Sequence, residues 1–220
     1  MTGHRRHAML EQLRRAYDTG AAARDQRPKS AWKLAERSAF GKRLVRHGAR
    51  SLLEIGAGTG QDSRYFQEQG FDVVATDLTP AMVAACRAKG LDARLMDVLA
   101  MDFPVASFDA VYTMNCLLHV PNADLPAALT AVGDVLRPGG LFFLGVYGGD
   151  GGEGVADWDD HDPPRFFSMR TDEQIRRYAT DVFDLVDFHT LVVDGGFRFQ
   201  SLTLRRPATV ELSGTPGVAR

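Results

Sequence analysis

Residues 51–60 read Ser51-Leu52-Leu53-Glu54-Ile55-Gly56-Ala57-Gly58-Thr59-Gly60. A short apolar run feeds a glycine-dense turn, and a helical pattern follows over 60–69. Glycine carries no Cβ, so a ligand can lie against bare backbone in such a turn. Open α/β sheets bind their ligands at the carboxyl ends of strands, where this turn falls. The spacing is informative. A dinucleotide fingerprint, G-x-G-x-x-G, would place its third glycine at position 61. Gln61 stands there, and the third glycine is Gly60. A carboxylate, Glu54, sits two residues before the first glycine.

Outward from this turn, strand and helix patterns alternate. Strands are expected over 51–55, 72–76, 92–96, 108–113 and 140–147, with helices over 60–69, 79–89 and 122–137. Gly70 and Gly90 stand where helices stop, and Pro138-Gly139-Gly140 breaks the chain before the fifth strand. Such alternation implies a parallel sheet with right-handed crossovers. Two helical patterns, 8–17 and 30–47, precede it. Gly148 to Pro164 is rich in glycine, proline and acids and has no apolar period, which fits a lid. Thr171-Asp172-Glu173-Gln174 has the form of a capping box. Segments 183–190 and 197–205 read as strands joined through Asp194-Gly195-Gly196, a hairpin signal. Pro207 to Arg220 carries no pattern and reads as a flexible tail.

The chain has 220 residues, of which 45% are hydrophobic and 25% charged, the balance of one globular domain. No apolar run is long enough to span a bilayer, and the start of the chain lacks the form of a secretory signal. Cys86 and Cys116 are the two cysteines, too few for a disulfide framework, so a cytoplasmic location is expected. The net charge of −2 hides an asymmetry: residues 1–50 hold 13 of the 26 Lys and Arg, against Glu11, Asp18, Asp25 and Glu36. A basic arm can bind nucleic acid. The plainer reading is a helix face paired with acids elsewhere, with 150–162 as the candidate partner.

The pattern E-x-G-x-G-x-G resembles the first motif of the class I S-adenosylmethionine-dependent methyltransferases, and the likeness runs from about Leu52 to Arg206. The resemblance implies a Rossmann-like α/β fold. Its seven-stranded, mainly parallel sheet ends in an antiparallel C-terminal hairpin and carries helices on both faces. It divides the chain into a helical cap (1–50), a methyltransferase domain (51–206, with a lid insertion at 148–170) and a tail (207–220). It also implies S-adenosyl-L-methionine as cofactor and S-adenosyl-L-homocysteine as product. Glu54, Gly56, Ala57, Gly58 and Gly60 would then surround the cofactor's ammonium group. Asp77 ends the second strand, 21 residues after Gly56, where a carboxylate can accept from both ribose hydroxyls. Leu78 would wall the adenine, Asp97 would accept from its exocyclic amine, and Val98 would offer backbone to the ring. Met114 and Asn115, after the fourth strand, would meet the methionyl part.

Methyl transfer is a direct displacement at carbon, so much of the catalysis is alignment and desolvation. A general base serves only an acceptor that must lose a proton. The candidates are His119, just past the fourth strand, Tyr147 at the end of the fifth, and His161 in the irregular segment. Cys116 reads as an ordinary buried thiol, and no residue spacing calls for a metal. The expected function is methyl transfer to an oxygen or nitrogen of a small-molecule acceptor. An acidic, glycine-rich cover would repel phosphate backbones, which disfavours nucleic acid. The alternatives are an RNA or protein methyltransferase using the basic arm, or a cofactor-binding protein without catalysis.

Overall fold

The structure, a computed structural model, describes residues 3–208; positions 209–220 of the expected tail lie outside the described residues. Three helices come first: α1 (Gly3–Asp18), α2 (Ala21–Gln26) and α3 (Ala31–His47). The alternating unit follows as β1 (Ser51–Ile55), α4 (Gln61–Glu68), β2 (Asp72–Asp77), α5 (Pro80–Ala88) and β3 (Asp92–Leu95). It continues through β4 (Phe108–Met114), α6 (Leu125–Val135) and β5 (Leu136–Gly148). Two short strands, β6 (Glu153–Val155) and β7 (Phe166–Ser168), pair with each other. The chain closes with α7 (Asp172–Thr180), β8 (Asp184–Val192) and β9 (Arg198–Arg205).

The main sheet has seven strands in the order β3-β2-β1-β4-β5-β9-β8. Pairs among the first five are parallel, while β9 runs antiparallel between β5 and β8. Side chains alternate across a strand, so adjacent apolar residues bury on opposite faces. Leu53, Val111 and Phe142 pack with Leu129, Val132 and Ile175 of α6 and α7. Their neighbours Leu52, Tyr112 and Phe143 pack with Phe40, Leu44 and Phe66 of α3 and α4. The strand order reverses between β1 and β4, and that crevice is where a sheet of this kind takes its ligand.

Several boundaries differ from the sequence reading. The first helix starts five residues earlier than its apolar period, and α2 was not expected. Strand β5 starts at Leu136, so Pro138-Gly139-Gly140 does not break the chain. The register against β4 shifts between Phe108 and Ala110, and Gly139 takes a left-handed φ of 78°. A Cβ at Gly140 would sit 2.9 Å from the Asp109 carbonyl oxygen, so glycines let the strand pass through the irregularity. The insertion expected over 148–170 contains the paired strands β6 and β7. The Thr171 capping box is formed on both sides, with Gln174 N donating to Thr171 Oγ1 and Thr171 N to Gln174 Oε1.

Candidate active site

A cavity of about 380 Å³ opens at the carboxyl ends of β1, β2 and β4, within the size range of small-molecule sites. The loop after β1 forms its floor. Gly56 N and Ala57 N both donate to Thr76 O, at 2.8 and 2.9 Å, and fasten the loop to β2. The glycines serve different ends. A Cβ on Gly56 would lie 2.4 Å from Cys116 Sγ, and one on Gly60 2.6 Å from Leu91 Cδ1, whereas Gly58 faces open space. Gly56 and Gly60 let β1 approach β4 and α5, and Gly58 leaves main chain bare toward the cavity.

Asp77, at the end of β2, is braced by that loop. Its Oδ2 accepts from Gly58 N at 2.8 Å and its Oδ1 from Thr79 N at 2.9 Å. A carboxylate has about four acceptor positions, so two remain for a ligand. Burial raises its pKa, against the pull of the two backbone donors. Glu54 lies beneath the floor, buried, and accepts from Ser63 Oγ. Burial first, and then the charge of Asp62, push its pKa up to about 8. Asp62 itself is paired with Lys29 and, at 2.9 Å, with Arg37 Nη1.

Leu78, Val98, Met114 and Asn115 line the cavity, as do Glu54, Gly56, Ala57, Gly58, Asp77 and Asp97. Gly60 does not line it; it opens α4 with a left-handed φ of 81°. Asn115, also left-handed at a φ of 55°, has a buried Oδ1 with no hydrogen-bond partner. Asp97 caps a short turn through Leu99 N and meets Arg6 Nη2 at 2.5 Å.

Helix α1 lines the cavity; the sequence points to an N-terminal helical cap with Tyr17 over the pocket, but not to Arg6, Met9, Leu10 or Leu13. Its inner side presents Arg6, Met9, Leu10, Leu13 and Tyr17 to the cavity. Polar contacts hold it down: Arg6 on Asp97, Arg14 Nε on Leu78 O at 3.2 Å, and Gln12 Nε2 on Pro164 O at 2.7 Å. The basic arm therefore pairs with Asp97, Asp124 and Asp62 around the cavity, and the expected pairing with acids of 150–162 is not what these contacts show. Within that acidic segment Asp159 bonds to Arg165, 2.6 Å from Nη2.

The three catalytic candidates separate. His119 is buried on the cavity wall. Its Nδ1 lies 2.7 Å from Phe166 O and its Nε2 2.7 Å from Tyr17 Oη. A carbonyl only accepts, so Nδ1 carries the proton, and Tyr17 O–H donates to Nε2. Arg165 Nη1 donates to the phenol oxygen at 3.0 Å. Burial pulls the His119 pKa down to about 4, so it is neutral at pH 7. Tyr147 does not reach the cavity. It shares a β5 face with Phe143 and packs against Trp32, Phe197 and Phe199. His161 also lies outside the lining; its Nδ1 is 3.0 Å from Asp159 Oδ1 and its ring 6.2 Å from that of Tyr17. Trp32, 4.5 Å from Phe199, belongs to the core. Cys116 packs against Gly56, and burial pushes its thiol up to about 12, which makes it a poor nucleophile. Asp159, Asp160 and His161 hold potential ligand atoms within 4.8 Å of one another, a grouping the sequence reading passed over. Arg165 already holds Asp159, whose pKa falls to about 2 despite burial.

Residues 52–140 match the family described as a methyltransferase domain. Curated relatives agree. The ubiquinone biosynthesis O-methyltransferase of Xylella fastidiosa (strain M23) is 34% identical over 129 residues, 54% of this chain and 50% of that protein. The protein of the same name from Xanthomonas oryzae pv. oryzae (strain PXO99A) is 40% identical over 110 residues, 46% of this chain and 44% of the relative. Over these residues the chain is similar to S-adenosylmethionine-dependent methyltransferases of class I. It spans about half the length of the curated relatives it matches. Two solved structures share the fold of this chain. One is the 1,6-didemethyltoxoflavin-N1-methyltransferase of Burkholderia thailandensis, solved with 1,6-didemethyltoxoflavin and S-adenosylhomocysteine. It has a TM-score of 0.71 at 24% identity, over 94% of this chain and 92% of that one. The other is the cyclase SpnF, with a TM-score of 0.72 at 17% identity, over 91% of this chain and 97% of that one. A cyclase on this fold means that the reaction has to be argued from the site.

Proposed function

We propose that this chain transfers the methyl group of S-adenosyl-L-methionine to an oxygen or nitrogen of a small-molecule acceptor. The observation that carries this reading is the set of groups around one cavity: bare Gly58, braced Asp77, and the buried Asn115 Oδ1 that lacks a partner. These fit the cofactor's needs. Asp77 takes the ribose diol on its two remaining acceptor positions. Asn115 Oδ1 and the loop carbonyls take the ammonium, with Glu54 beneath. Leu78 and Val98 wall the adenine, and Asp97 accepts from its amine with the oxygen face that Arg6 leaves open. The bound cofactor supplies a methyl group already activated by its positive sulfur. Residues 1–50 act as a cap, with α1 and the lid segment excluding water.

Beneath the cap, Tyr17 and His119 orient the acceptor rather than deprotonate it, because the His119 lone pair already receives the Tyr17 proton. The RNA or protein reading loses its main support, since Arg6, Lys29 and Arg37 of the basic arm turn inward onto acids of the site. Among the described residues no helix is long and apolar enough to cross a membrane. The test is a screen of metabolite pools with methyl-labelled cofactor. Label moving to a small molecule supports the reading, and label moving only to RNA or protein contradicts it.

A proton should leave when the cofactor binds. Glu54, raised to about 8, stabilises the empty fold fully below its ordinary value of 4.5, and that contribution is lost as pH rises through about 8. At pH 7 it is protonated, and an arriving ammonium reverses the preference. Calorimetry of S-adenosylhomocysteine binding at pH 7 in buffers of different ionisation enthalpy is expected to report release of roughly one proton. Glu54→Gln abolishes it. A wild-type slope of zero would refute the assignment of Glu54.

A further inference from the structure

The wall that α2 and its flanks give the cavity is basic, with Arg24, Arg27, Lys29 and Lys33 facing in alongside Arg6. Arg6 lies against Asp97 and Asp124, and Lys29 against Asp62. Arg24 makes no ion pair among the described residues. Its guanidinium stands 4.8 Å from the centre of the Tyr17 ring, and its charge reaches Tyr17, Asp77 and His119. It therefore sits where the ribose end of the site meets the phenol–imidazole pair. The helix that carries it is held in place: Asp25 pairs with Lys89, and Gln61 Nε2 donates to Asp25 O at 3.1 Å. An arginine so placed offers a planar pair of donors, the geometry that matches a carboxylate.

A second observation points the same way. His119 has its lone pair filled by Tyr17 and its other nitrogen bound to Phe166 O. Arg165 and Arg24 also stand near enough to oppose an imidazolium. Burial first, with the two arginines adding and Asp159 opposing, keeps His119 without a proton, so this wall offers no base and suits an acceptor already ionised at neutral pH.

We propose that the methyl acceptor is an organic acid and that Arg24 selects it by pairing with its carboxylate. This rests on the reading of the chain as a small-molecule methyltransferase. The phenol of Tyr17 forms the adjoining wall, so an acid with a flat or aromatic body fits against it.

The test titrates benzoate, phenyl phosphate, methyl benzoate and benzylamine into the full chain, with and without S-adenosylhomocysteine. Benzoate is expected to bind, methyl benzoate and benzylamine to bind about tenfold more weakly or less, and Arg24→Gln to weaken benzoate by about tenfold or more. Arg24→Lys should recover part of that loss, and S-adenosylhomocysteine affinity in Arg24→Gln should stay within about threefold of wild type. The proposal is overturned if benzoate does not bind, or if methyl benzoate or benzylamine binds as well as benzoate. It is also overturned if Arg24→Gln binds benzoate normally, or loses S-adenosylhomocysteine to the same degree. Tighter, Arg24-dependent binding of phenyl phosphate would move the selected group from carboxylate to phosphate and overturn the carboxylate assignment. Arg24-dependent benzoate binding without any S-adenosylhomocysteine binding would support the selector and strike instead at the methyltransferase reading.

Discussion

Asp77→Ala is expected to weaken S-adenosylhomocysteine binding about 100-fold, close to 3 kcal/mol at 1.4 kcal/mol per factor of ten. Two losses add. The ribose diol loses a charged acceptor, and such hydrogen bonds are the strong ones. The glycine loop loses the group that holds Gly58 N at 2.8 Å, so its carbonyls no longer face the ammonium in fixed positions. The fold itself should suffer much less. Burial raises the Asp77 pKa, so the carboxylate favours the folded chain in acid, and that contribution is lost as pH rises through its raised value. At neutral pH its removal therefore relieves part of a desolvation cost while it costs two backbone hydrogen bonds. The check is paired calorimetry and thermal melting. Affinity within threefold of wild type would remove Asp77 from the cofactor site.

The second large effect falls on a residue with no claim to touch ligand. Arg170 follows β7 and is 1% exposed. Its guanidinium donates to Asn122 Oδ1 at 2.7 Å, Leu117 O at 3.2 Å and Val120 O at 2.5 Å. Burial pulls its pKa down to about 10, which still leaves it charged at pH 7. These three bonds clamp the segment 117–122, which carries His119, to the stretch between β7 and α7. Arg170→Met removes three charged hydrogen bonds: Leu117 O keeps Val120 N and Val120 O keeps Ser168 Oγ, while Asn122 Oδ1 loses its donor, and a loss of about 3 kcal/mol is expected. For a chain of this length that is a fall in Tm of roughly 10 °C. Arg170→Lys should rescue little, because one compact ammonium cannot reach three divergent acceptors. A Tm within 2 °C of wild type for Arg170→Met, about the effect of one kcal/mol or less, would contradict the clamp.

The parallel sheet was legible because its strands are buried on both faces. Leu52-Leu53, Val111-Tyr112 and Phe142-Phe143 each send one side chain to each cluster, and such doublets leave a plain mark in sequence. The glycine turn and Asp77 were legible because the crevice position of each follows from strand ends. Of the opposite wall, the sequence points to Tyr17 as a cover but not to its partners. Tyr17 meets His119 across 102 positions and Arg6 meets Asp97 across 91, and nothing local in either segment encodes such a meeting. Helix α2 escaped notice because six residues, Ala21–Gln26, cannot show an apolar period. Tyr147 is a different case. Strand alternation places it with Phe143 and Gly145, on the face that packs against α3, so the sequence held the signal against it. Its position at a strand end points the other way, toward the ligand side. His161 is a candidate from its residue type and its place in the irregular segment, and Asp159 and the edge of Tyr17 account for where it lies.

Calorimetric titration of the full chain with S-adenosylmethionine, S-adenosylhomocysteine and NADH tests the central claim most directly. One equivalent of each sulfur nucleoside is expected to bind, with no heat from NADH. Heat from NADH alone would contradict the account at its root.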